Sequence, residues 1–212
     1  MALDPNLDNC RMRSSELEAK LKSRQDECVQ SIELFPMLFE QALARRDKFD
    51  EFLAMLARKT GAEAQKAPLK RPWRTIEKII FDTKPRPGED MSAKSVCDCL
   101  RGALVCDSFS IIESVIGILE QLDEEPDKVD DIEERFHIRL VRLKCRFSVL
   151  TSGGWADIMI NFHFVDDDTK HVAELQVHHV DLYRVRKERN AHKRYKSFRS
   201  ALEILRSIDK AP

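Results

Sequence analysis

An α+β fold, a mixed sheet of about four to five strands flanked by helices and preceded by a helical segment, is the expectation for this chain of 212 residues. Three patterns support it. Residues 14–59 carry apolar side chains at helical intervals. Residues 101–107 form a short apolar run followed by an amphipathic helix. Three strand-like segments then follow between 138 and 177 without a helix between them.

The elements are taken in chain order. Leu17 and Leu21, then Leu38, Leu43, Phe49, Phe52, Leu53 and Leu56, recur as a helical stripe, read as a helical pair broken near Pro36. GAEAQKAP (61–68) reads as a linker, and WRTIEKIIFD (73–82) as a short amphipathic helix. TKPRPGEDMSA follows as a loop, marked by two Pro and one Gly. RGALVCD (101–107) is a strand candidate, and Ile111, Ile112, Val115, Ile116, Leu119 and Leu122 stripe the next helix. The acidic stretch DEEPDKVDDIEE (123–134) reads as a solvated linker.

IRLVRLKCRF (138–147), ADIMINFHF (156–164) and HVAELQV (171–177) then form an antiparallel meander, with turns at Ser152-Gly153-Gly154 and Asp166-Asp167-Asp168. One long helix from about Val180 to Ile208 closes the chain. The division expected is a helical segment over 1–60 and a second domain over 61–212.

Composition narrows the class. With 36 Lys+Arg against 37 Asp+Glu, there is no global charge to attract nucleic acid or a membrane, so any basic site is local and RNA is not indicated. No apolar run approaches the roughly 18 residues of a membrane span, and MALDPNLDNC does not resemble a signal peptide; a cytoplasmic protein is expected. The six cysteines lack the density of a disulfide scaffold, and Cys97-Asp98-Cys99 lacks the paired spacing of a zinc site. Reduced thiols are expected.

Strand alternation sorts side chains into two faces. Ile158, Ile160, Phe162 and Phe164 make a core face; Asp157, Met159, Asn161 and His163 lie opposite. The other strands contribute Glu174, Gln176 and His178, and Arg142, Lys144 and Arg146, to polar sets. A polar sheet face is either solvated or a site. Chemistry at a polyphosphate asks for a carboxylate pair to hold magnesium and for cations around the phosphates. Asp98 and Glu174 are the candidate pair, and Lys70, Arg74 and Lys78, spaced by four, align along one side of a helix beginning near Pro72.

In these residues the chain resembles the RelA/SpoT-type alarmone synthetase domain. LKRPWRTIEKI is similar to that family's basic segment, with Lys70 and Lys78 eight residues apart. DCLRGALV is similar to its Asp-led first strand, GGWADIMIN to its Gly-Tyr turn and strand with Trp155 in place of Tyr, and AELQVHH to its Glu-Val-Gln strand. KERNAHKRYKSFRSALEIL resembles the following helix, with His192 and Tyr195. The segments span roughly residues 60 to 205 in the family's order, and the resemblance is to a stand-alone synthetase.

The resemblance implies a nucleotidyltransferase-like fold and transfer of pyrophosphate from ATP to the 3′ hydroxyl of a guanine nucleotide. It implies Mg²⁺ held by Asp98 and Glu174, the two catalytic carboxylates, with Glu174 completing the metal site or taking the acceptor's proton. Lys70, Arg74, Lys78, Arg101, Arg142, Lys144 and Arg146 form the pool of phosphate ligands. Trp155 would stack on the acceptor base, with Gln176, His178, His192 and Tyr195 as further acceptor contacts. A homo-oligomer is the family's tendency. The chain departs from the family at Arg101, Ala103, Ala156 and Ala191. Alternatives are an adenine nucleotide or RNA acceptor, or a catalytically silent nucleotide-binding or interaction module with residues 14–59 as a docking arm.

Overall fold

The structure is a computed structural model that describes residues 6–24, 28–81, 92–129, 132, 134–151 and 155–188. Its first helix, α1 (Asn6–Ser23), buries Leu7, Cys10, Ser14, Leu17 and Leu21, a spacing of three and four that faces one side inward. The expected helical pair of 14–59 is three helices instead. Pro36 begins a helix and does not break one: it stands in the first turn of α2 (Phe35–Ala44), where its missing N–H costs nothing. Arg45 separates α2 from α3 (Arg46–Thr60), which ends on Gly61 in the left-handed conformation at φ 76°.

The segment expected as a linker holds a strand, β1 (Glu63–Lys66). It pairs antiparallel with β2 (Arg101–Cys106), from Glu63 opposite Val105 to Lys66 opposite Gly102. Its side chains are polar or small and show no alternation, because an edge strand is held by backbone pairing. Helix α4 (Pro72–Phe81) lies between these strands in sequence, and α5 (Phe109–Glu124) follows β2, with the Ser108 hydroxyl accepting the Ile111 N–H at 3.3 Å as its cap.

The meander is as expected: β3 (Ile138–Cys145), β4 (Ile158–Phe164) and β5 (Ala173–His179). Helix α6 (Val180–Glu188) follows, and the rest of the closing helix expected to Ile208, like the expected turn at Ser152-Gly153-Gly154, lies outside the described residues. The acidic stretch before it is not wholly solvated. Asp123 has a fully buried side chain that accepts the Leu140 N–H at 3.0 Å and an Arg24 N–H at 2.6 Å.

The five strands form one mixed sheet in the order β1-β2-β5-β4-β3, parallel only between β2 and β5. One face is covered by α1, α3 and α5. Phe49 and Phe52 of α3 pack on Phe162, with ring centroids 6.0 and 5.2 Å apart, and Phe52 meets Phe164 edge-on at 5.5 Å. Gly102 is required beneath this layer, because a Cβ there would stand 2.8 Å from Phe49 Cε1 and 3.0 Å from Leu53 Cδ2.

The register of β3 against β4 shifts between Leu140 and Arg142, leaving Val141 as an extra residue in a bulge. Before it, Ile138 and Leu140 face the core; after it Leu143 and Cys145 do, so Arg142 and Lys144 reach the opposite face. None of the described helices is long and apolar enough to cross a membrane.

Candidate functional site

The face not covered by α1, α3 and α5 carries three rows of side chains, fixed by the strand registers. Arg101, Glu174, Asn161 and Arg142 form the first row; Ala103, Gln176, Met159 and Lys144 the second. One step further along, Val105 and His178 are paired across β2 and β5, with Asp157, Arg146 and Trp155 at the adjoining ends of β4 and β3. Glu174 and His178 are four residues apart on one strand, about 13 Å. The face thus has a charged end and an aromatic end.

At the charged end both lysines of the basic segment converge on Asp98. Lys70 Nζ pairs with Asp98 Oδ2, and Lys78 Nζ lies 3.1 Å from Asp98 Oδ1. They do not do so as one helical stripe. Lys70 precedes α4, its N–H donating to the Cys99 carbonyl at 3.0 Å, whereas Lys78 sits in the last turn of α4. Arg74, between them, pairs with Glu77. Burial pushes the Asp98 carboxyl up, but Lys78 and Lys70 outweigh it and hold the group below its ordinary range. Burial also depresses the Lys70 ammonium.

Glu174, 6% exposed, accepts a hydrogen bond from Gln176 Nε2 at 2.7 Å. Burial first, then the Asp98 charge, pushes its carboxyl above the ordinary value. The two acids are close enough to repel, yet they sit in unequal environments. Such divergence is the arrangement from which acid–base roles are assigned.

Asn161 holds this end together. Its Oδ1 accepts from Arg142 Nε and Nη2 at 3.0 and 2.9 Å, and its Nδ2 donates to the carbonyls of Cys97 and Ala173 at 3.0 and 3.3 Å. The carbonyl before Asp98 is thereby fixed to the middle of the sheet. Lys144 lies beside Arg142 and Arg146, and burial together with those like charges lowers its ammonium. Cys28, contributed by the segment before α2, stands against Cys97, whose Sγ is 3.2 Å from the Cys28 carbonyl. The Cys97 thiol and the cations Arg142, Lys78 and Lys144 hold the Cys28 thiol below the ordinary value. Sequence separation concealed Cys28, since nothing in its neighbourhood marks it as part of a site. All six cysteines are unpaired thiols.

At the aromatic end Trp155 Nε1 donates to Asp157 Oδ2 at 2.8 Å, and Arg146 Nη1 to Asp157 Oδ1 at 2.9 Å. The indole meets the His178 ring edge-on at 5.7 Å, and His178 stacks on Tyr183 of α6 at 5.3 Å. Asp157 and Asn161 were legible as members of a polar set, but their roles as hubs depend on partners from other strands. His192 and Tyr195 lie outside the described residues.

A carboxylate pair fits magnesium better than a transition metal here. Among the described residues no cluster of three or more His, Cys, Asp or Glu is placed to hold a metal. Mg²⁺ takes one or two carboxylates and completes its shell with water and phosphate oxygens, and Asp98 and Glu174 are the residues that could hold it.

The class this architecture defines is a nucleotidyltransferase-type α+β fold: a mixed five-stranded sheet with helices on one face. No family model matches the sequence, and no curated protein matches it. Among solved structures the chain is similar to the small alarmone synthetase 1 from Bacillus subtilis bound to its product pppGpp. The TM-score is 0.50, with 12% identity over 78% of this chain and 82% of that one. The small alarmone synthetase 2 from Bacillus subtilis matches with a TM-score of 0.47 and 14% identity, over 82% of this chain and 91% of that one. The Type VI effector Tas1, in complex with its immunity protein, matches with a TM-score of 0.46 and 17% identity over 68% of this chain; the match spans 61% of the Tas1 chain. At 12% identity the likeness to the small alarmone synthetase 1 is one of fold, and in fold it agrees with the resemblance read from the four sequence segments.

Proposed function

We propose that this protein is a magnesium-dependent pyrophosphokinase that transfers pyrophosphate from ATP to the 3′ hydroxyl of a guanine nucleotide. The observation that carries the reading is the pairing of unequal carboxylates, Asp98 held ionised by two lysines and Glu174 buried with a raised affinity for protons, on one face of this fold. In-line transfer between two nucleotides needs alignment and charge screening more than covalent chemistry. The charged end supplies the screening and the aromatic end a stacking surface.

Mg²⁺ bound by Asp98 and Glu174 would neutralise charge on the donor phosphates. Lys70 and Lys78 turn from Asp98 to the phosphates as the donor binds, with Arg101 and Arg142 on the Glu174 row and Lys144 one row further toward the aromatic end. Glu174 either completes that metal site or, its proton affinity raised, accepts the 3′ hydroxyl proton, while Gln176 keeps the carboxylate oriented. Trp155 stacks on the acceptor base.

The test is anion-exchange analysis of the purified protein with Mg²⁺, ATP and, separately, each guanine and adenine nucleotide, beside Glu174→Gln. A pyrophosphorylated guanine nucleotide formed by the native protein and not by the variant is expected. Binding without product in every mixture would remove the enzymatic reading.

A further inference from the structure

The charged end accounts for Asp98, Glu174 and the lysines, but it makes no use of the unit built around Asp157. That carboxylate is 1% exposed and lies at the aromatic end. A carboxylate so far from water persists only when paired and hydrogen-bonded. Both oxygens are engaged, Oδ1 by Arg146 Nη1 at 2.9 Å and Oδ2 by Trp155 Nε1 at 2.8 Å. The backbone repeats the link, the Arg146 N–H donating to the Asp157 carbonyl at 2.8 Å. Behind the indole, His178 and then Tyr183 form an aromatic backing. The orientation of Trp155 is therefore set from two sides before any ligand arrives.

We infer that Asp157 positions Trp155 and Arg146 as one preformed base-recognition unit that selects guanine over adenine, an inference that rests on reading this end as the acceptor-nucleotide site. The indole N–H is committed to Asp157, so Trp155 offers a π-face and does not read the base edge. Stacking alone is tolerant of base identity, since every base has such a face.

Discrimination falls to Arg146. Its fork carries five donors, of which Nη1 is held by Asp157, and among the described residues Nη2 meets the weak acceptor Met159 Sδ at 3.8 Å. A guanidinium edge matches two adjacent acceptors, which guanine provides at O6 and N7. Adenine places its N6 amino group beside N7, donor against donor. The position agrees with that role: Arg146 lies on the row of His178, four residues along β5 from Glu174, and away from Lys70, Lys78 and Arg101.

The experiment is calorimetric binding of GDP and of ADP, each with Mg²⁺, to the native protein and to Arg146→Lys, Trp155→Phe and Asp157→Asn, with a melting curve for each. The native protein is expected to bind GDP about 10-fold or more tightly than ADP. Arg146→Lys, which keeps the charge and loses the fork, should bring the two affinities within about 2-fold while leaving ADP little changed. Trp155→Phe keeps a stacking face and should weaken both nucleotides by a similar factor. Asp157→Asn, which removes the charge that holds Arg146, should lower GDP toward ADP.

A loss of GDP and ADP affinity by the same factor in Arg146→Lys would make Arg146 a phosphate ligand and overturn the inference. So would a native protein that does not distinguish the two. If the native protein binds neither nucleotide, the acceptor-site reading itself fails and takes the inference with it. Should Asp157→Asn not fold, the ratio in Arg146→Lys still decides.

Discussion

Replacing Glu174 by Gln is expected to make the protein more stable and inactive at once. In the fold the carboxylate is 6% exposed and faces the Asp98 charge, with the Gln176 amide at 2.7 Å, Lys78 and Arg101 as partial compensation. Burial and Asp98 win, so the folded protein binds the Glu174 proton more tightly than the unfolded chain does. The sign follows. Where the folded state holds more protons, stability falls as pH rises. Native protein therefore loses stability as pH climbs from the ordinary value of 4.5 through the raised folded value, and above it carries the full penalty.

Glutamine has the same shape and can still accept from Gln176, but it has no charge to desolvate. The relief is about 1 kcal/mol, at the low end of the cost of burying a polar group, or roughly 2–4 °C in Tm for a chain of this length. Turnover should drop by about 10²- to 10⁴-fold if the group is the base. The assay is paired calorimetric scans from pH 5 to 8 with chromatographic turnover on the same samples. The gap in Tm should be greatest at high pH and close toward pH 5. A variant that melts below the native protein at pH 8, or a gap that does not narrow, would refute the electrostatic account of this site.

Three further outcomes follow from the geometry. Asp98→Asn leaves Lys70 and Lys78 facing an uncharged amide; with side chains 11% and 25% exposed, the cost is cut by solvent from that of a fully buried pair to about 1–3 kcal/mol. Inorganic tripolyphosphate in the presence of chelator should restore part of the lost Tm, and the native contribution, coming from a lowered acid, should be present above pH 3.8 and vanish as pH falls through the folded value. Gly102→Ala sets a Cβ 2.8 Å from the Phe49 ring, whose stacking on Phe162 leaves it little room to move; about 1–3 kcal/mol should be lost in the urea midpoint. Gln30→Leu deletes bonds to the Val96 and Val172 carbonyls at 3.0 and 2.9 Å and from the Val172 N–H at 2.8 Å, and should cost about 2–4 kcal/mol and expose Val172 to hydrogen exchange.

The elements legible from sequence were those whose own side chains declare a face. Ile158, Ile160, Phe162 and Phe164 mark β4 by alternation, and Ile112, Val115, Ile116 and Leu119 mark α5 by helical spacing. Strand β1 escaped because Glu-Ala-Gln-Lys carries no pattern; its place is decided by the backbone of β2 alongside it. Pro36 was read as a breaker because a proline that ends a helix and one that begins it look alike until the cap is seen.

In the site, chemistry outran geometry. Residue type and spacing single out Asp98, Glu174, Lys70 and Lys78, yet the lysines reach Asp98 from different elements and not from one helical stripe. Asp157, Asn161 and Cys28 depend for their roles on Arg146, Arg142 and Cys97, which lie 11 to 69 positions away in sequence, and no local pattern encodes that.

The bulge at Val141 lets β3 carry one residue more than its partner strand and still keep its two faces in phase. Deleting Val141 would leave Ile138, Arg139, Leu140, Arg142, Leu143, Lys144 and Cys145 in plain alternation, with Leu143 and Cys145 still toward the core and Arg142 and Lys144 still on the open face. Deleting Leu143 or Lys144 instead would carry Cys145 to the wrong face. Single-residue deletion scanning of this strand should therefore find Val141 tolerant and the positions after it unforgiving, an asymmetry that belongs to the spacing of the chain and not to any one side chain.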